Sequence, residues 1–199
     1  MNNSPMPWDT AVAEAKRFAS AGAHVNAAEK YTEAADLAEA VQMYGSVAQY
    51  RHLAGAQYLA ANLSEQAIGP SARAVELLAN HTHESARAVY IVSLGNFGLA
   101  KLNAGHPPEE IIQIQLEMVR VFEDKGGVTE DLGKAYLNLA DTYRRAGQRD
   151  AAHENYSKAV EVFKKLGIGN AVHRATLGRD NTKPPLQERI RSWLGAAKG

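Results

Sequence analysis

The chain has 199 residues, 45% of them hydrophobic and 22% charged, with equal numbers of acidic and basic side chains. That is the composition of a soluble globular domain or a short repeat array, not of a disordered tail. The absence of cysteine excludes disulfide scaffolds, thiolate metal sites and cysteine nucleophiles, and fits a reducing, cytoplasmic setting.

Residues 1–7 are polar and carry no basic start followed by an apolar core, so a flexible N-terminus without a signal peptide is expected. No apolar run approaches the roughly 18 residues of a spanning helix. Ala11, Ala15, Phe18 and Ala19 form the first helical stripe. Tyr50, Leu53, Ala54 and Gln57-Tyr58 form a second, and Ile112 with Leu116, Val119 and Phe122 a third. Turn signals fall at Gly45-Ser46, Asn62 to Ser64, Asn80 to His83, Gly105 to Pro108 and Gly126-Gly127. Pro107 and Pro108 suit the first turn of a helix, with Glu109 and Glu110 at the positive end of its dipole. No alternating strand pattern occurs, and about nine or ten helices are expected.

One pattern recurs four times. In its clearest copy, Tyr136, Leu139, Ala140, Tyr143, Gly147, Ala152, Tyr156 and Ala159 fall at offsets 4, 7, 8, 11, 15, 20, 24 and 27 of a unit starting at Gly133. Small residues at 8, 20 and 27 let helices approach, and aromatics at 11 and 24 fill the space between them. The turn residues Gly22, Asn62, Gly105 and Gly147 are spaced by 40, 43 and 42, and glycine and asparagine tolerate the left-handed conformation that closes a helix. In the third copy Pro107-Pro108 adds a residue, and Ile111, Gln115 and Met118 replace the small, aromatic and small positions.

These residues resemble the tetratricopeptide repeat (TPR), from about Trp8 to Gly178, in the long-period form of kinesin light chains and bacterial peptide-sensing regulators. The resemblance implies an all-α fold, a right-handed α-solenoid of helix–turn–helix repeats over residues 8–180. A partial fifth unit begins at Val172. Residues 181–199 read as a linker and a capping helix, with Leu186, Ile190, Trp193 and Leu194 as its stripe.

The resemblance also implies a function: binding another protein or a peptide in a groove lined by the first helix of each unit. Carried over by offset, the groove takes Gln49 and His52 from the second unit. The third supplies Asn96, Leu99 and Asn103. The fourth supplies Lys134, Leu137, Asn138, Asp141, Arg144 and Arg145, and the partial unit Arg179. Asn96 and Asn138 share offset 6. A carboxamide there can clamp a peptide backbone, or it can bridge neighbouring helices. The lysine–asparagine clamp for chaperone tails is missing: Val12, His52 and Gly95 stand at its first offset, and Lys16, Ala56 and Leu99 at its second.

From Lys164 onward eight basic residues face two acids, against 14 basic and 20 acidic residues in the rest of the chain. A solvated terminal cap explains that end, and an acidic segment of a partner would complement it. Two rival roles fit the same fold: a self-associating subunit paired through its end faces, and a receptor for a short signalling peptide.

Catalytic and cofactor motifs are not found. No phosphate loop, Gly-x-Ser-x-Gly or His-Glu-x-x-His occurs. Gly167-Ile168-Gly169 lacks the third glycine of a dinucleotide fingerprint and a preceding strand. His81-x-His83-Glu84 and Asp150-x-x-His153 lack the further ligands a metal needs. The chain is expected to be no enzyme, to hold no cofactor or metal, and to bind neither nucleic acid nor membrane.

Overall fold

The computed structural model describes residues 5–81 and 83–183, so the capping helix expected near the C-terminus lies outside the described residues. Within them the chain forms nine helices and no strand. They are α1 (Asp9–Ser20), α2 (His24–Ala40), α3 (Tyr44–Ala60), α4 (Ser64–Leu78), α5 (Glu84–Asn103), α6 (Pro108–Lys125), α7 (Glu130–Arg145), α8 (Arg149–Lys165) and α9 (Gly169–Asp180). None is long and apolar enough to cross a membrane. The chain divides into two compact units, Met1–Ile114 and Gln115–Gly199.

Backbone closure explains where the helices stop. At Gly22, Gly105, Gly147 and Gly167, and at Asn62 and Gln42, φ is positive. In the turn after α2, the Gln42 amide donates to the Glu39 carbonyl and the Met43 amide to that of Ala38, each at 2.9 Å. The same pair of bonds recurs after α1, α3, α5, α7 and α8. This is the Schellman closure, which satisfies two carbonyls that a helix end leaves unpaired. Four of these six helix-closing residues match the glycine and asparagine expected there. Gly45-Ser46 corrects the reading: both lie inside α3, and the turn sits at Gln42. Gly167 closes α8 and belongs to no phosphate loop. Pro108 opens α6 with Glu109 and Glu110 in its first turn.

In the first unit α1 to α5 pack each on the next, and α3 also meets α5. The core is built mostly from alanine. Ala34, Ala35, Ala38 and Val47 close around Trp8 and Ala11, and Ala15, Tyr31 and Ala54 form a second cluster. Such small side chains bring helix backbones close together, and the rings of Trp8 and Tyr50 fill the remaining width with centroids 6.3 Å apart. At Gly55 an added Cβ would overlap the fully buried Ser71 of α4.

In the second unit α7 packs on α8 and α8 on α9. Leu132, Ala135, Leu139 and Ala140 of α7 are buried with Ala152, Tyr156, Ala159 and Phe163 of α8. Two rings lie directly against backbone. An added Cβ at Gly133 would stand 2.7 Å from Phe163, and one at Gly178 of α9 would overlap Tyr156. The offsets 1 and 8 of the repeat are therefore sockets for the aromatic side chains of α8.

Candidate functional site

The first-helix residues divide between the two units, and each set is described by itself. In the first unit α5 turns a mixed stripe outward. Val92 is 51% exposed and Leu99 46% exposed, while Asn96 is half-buried and Asn103 exposed. Their spacing of four, three and four residues puts them on one face. Among the described residues neither Asn96 nor Asn103 makes a side-chain hydrogen bond, so both carboxamides keep their donors and acceptors. Helix bridging by Asn96 has no partner there.

Beside this stripe, α3 contributes Gln49, which is exposed, and His52, which is half-buried. Ser93 Oγ donates to the Val89 carbonyl at 2.7 Å and lies 3.1 Å from His52 Nδ1. The hydroxyl proton is thus committed to Val89, and His52 Nδ1–H donates to Ser93. That bond ties α3 to α5 and leaves Nε2 as the accepting atom. Burial pushes the His52 imidazole below its ordinary value of 6.5, so the ring is neutral at pH 7. Ser93 is fully buried, which removes it as a nucleophile despite the adjacent base.

In the second unit Lys134, Asn138, Asp141 and Arg145 follow one another along α7 at the same helical spacing. Leu137 corrects the offset reading: it is 5% exposed and belongs to the core. Lys134 is held by Glu130 at 2.8 Å. Asn138 and Arg145 are exposed, and among the described residues Arg145 makes no ion pair. Arg179 on α9 leans on Asp180 at 3.5 Å.

Asp141 is a junction rather than a free groove residue. It accepts a hydrogen bond from the Tyr156 hydroxyl of α8. Arg174 of α9 approaches it to 3.5 Å and Arg144 to 4.0 Å. Burial, and then the Asp141 carboxylate, raise the Tyr156 phenol above its usual range, so it stays protonated and donates. Repeat offsets did not single out Arg174. It occupies offset 4, usually a packing position, and only the fold shows it beside Asp141.

No protein-family model and no curated protein matches this chain. Solved structures do match. A putative kinesin light chain of Podosopora anserina with nearly identical TPR-like repeats is 17% identical, covers 98% of this chain and 97% of its own, and superposes with a TM-score of 0.67. Aspartyl phosphate phosphatase F of Bacillus subtilis is 18% identical with a TM-score of 0.64, over 96% of this chain and 49% of its own. BtubC (BKLC) of P. vanneervenii is 15% identical with a TM-score of 0.51, over 94% and 89%. At these identities the likeness is one of fold, and the fold is that of TPR-like helical repeats.

Proposed function

We propose that the chain is an adaptor or regulatory module that binds a segment of another protein on the outward faces of the first helices within each unit. The observation that carries this reading is the α5 stripe of Val92, Asn96, Leu99 and Asn103. Two large apolar side chains there are about half exposed, interleaved with carboxamides that have no partner among the described residues. An extended peptide fits that surface: apolar side chains cover Val92 and Leu99 while its backbone pairs with the asparagines. The exposed Asn138 gives α7 a carboxamide at the equivalent offset.

A random peptide library selected on the full chain supplies the probe. Selected peptides are expected to bind an Asn96→Ala, Leu99→Asp variant about tenfold more weakly, the scale of losing central contacts in an interface. Both side chains are partly or largely exposed, so the variant keeps its fold, which circular dichroism checks. Peptides that bind native chain and variant equally would remove α5 from the interface and sink the reading.

A further inference from the structure

Where α7, α8 and α9 meet in the second unit, two arginines stand at one carboxylate and a third follows it along α7. Arg174 Nη2 lies 3.5 Å from Asp141 and Arg144 Nε lies 4.0 Å away. Arg144 Nε also sits 3.3 Å from the Tyr156 hydroxyl, which itself donates to Asp141. Arg145 follows Asp141 by one turn on the same face of α7. Two guanidinium groups thus share one counter-charge, and Arg145, a turn further along α7, makes no ion pair among the described residues.

Both ion pairs are longer than the roughly 2.7–2.9 Å of a charge-assisted hydrogen bond. The Arg174 side chain is 68% exposed. The surrounding charges do not cancel the excess. Arg149 and Asp150 open α8 as one charge of each sign, and at the end of α9 Asp180 is shared by Arg179 at 3.5 Å and Lys183 at 2.8 Å.

We propose that this cluster receives an acidic peptide segment, and that Asp141 is its resident competitor. A glutamate or aspartate of the partner takes Arg174 and Arg145. Asp141 keeps Tyr156 and gives up its loose hold on Arg174. The idea rests on the peptide-binding reading above and adds the partner's chemistry. Arginine forks take carboxylate and phosphate alike; the segment proposed carries carboxylates, two of which match a local excess of about two charges.

Fluorescent octaglutamate binding to the full chain, read by anisotropy, tests this. Asp141→Asn retains an acceptor for Tyr156 while removing the competing charge, and is expected to tighten binding about two- to fivefold. Arg174→Ala is expected to weaken it by a similar factor, and added salt to weaken binding to the native chain. Octaglutamine is expected not to bind. Unchanged or weaker affinity in a folded Asp141→Asn variant overturns the proposal, as does indifference to Arg174→Ala. Tighter binding of an octaphosphoserine peptide through the same arginines overturns the choice of carboxylate. Octaglutamate failing while library peptides still depend on Asn96 and Leu99 defeats this proposal alone. Loss of both defeats the peptide-binding reading as well.

Discussion

The glycines that carry no turn are as informative as those that do. Gly133 faces the ring of Phe163, a residue with 1% exposure and nowhere to move, and an added Cβ would lie 2.7 Å from it. Gly133→Ala is therefore expected to cost about 1–3 kcal/mol by overpacking. Gly98 on α5 has only Ile114 within reach, at 3.6 Å, an ordinary contact. Gly98→Ala is expected to be neutral or to stabilise by up to about 1 kcal/mol, because alanine is the better helix former. Urea unfolding of the two variants checks the contrast, and equal effects would refute the socket at Gly133. His52 supplies a pH prediction. Its folded value lies below 6.5, so its contribution is fully present above that pH. As pH falls through 6.5 the unfolded chain takes up the proton first and stability drops, levelling off below the folded value. His52→Gln is expected to flatten that part of the pH profile, measured by thermal melting across pH 5 to 8.

At the scale of elements the turns decide what a reader of the sequence can find. Gly22, Asn62, Gly105 and Gly147 announce themselves, because few residue types accept positive φ. Gln42 does the same work with φ at 61° and gives no such signal, so the turn was displaced onto Gly45-Ser46, inside α3. Gln42→Gly relieves the left-handed strain of a side chain and is expected to raise stability by about 0.5–1 kcal/mol, read as a shift in the urea midpoint. No gain would mean that Gln42 makes a compensating contact. The candidate site was legible to the same uneven degree. Spacing alone brought Asn96, Leu99 and Asn103 to one face of α5. It also assigned Leu137 to a ligand, although that residue is buried in the core. Arg174 was invisible, since its role depends on how α9 lies against α7 and not on its place in the repeat.

Across the whole molecule the division of charge follows the division of the fold. Residues 1–114 hold 11 acidic and 7 basic side chains, and residues 115–199 hold 11 and 15. The zero net charge therefore hides one acidic and one basic unit, and the second is the one that the acidic segment proposed above would complement. Cohesion is equally uneven. Eight residues of α7 and seven of α8 are buried, but only Ala175 of α9. In an array held by neighbouring contacts the sparsely buried helix opens first. Amide hydrogen exchange is expected to be faster across Gly169–Asp180 than across α7 or α8. Equal protection would show that something covers the outer face of α9.

The rings seated on glycine have a mechanical consequence. A side chain that meets another side chain can yield by changing rotamer, whereas an aromatic ring lying on bare backbone has no such play. Close-packed matter of this kind is stiff and passes displacement on. Tyr156 lies on Gly178 of α9 while its hydroxyl holds Asp141 of α7. One ring thus joins α9 to the carboxylate two helices away, so a displacement of α9 is expected to reach Asp141 as by a lever, and not to be absorbed on the way.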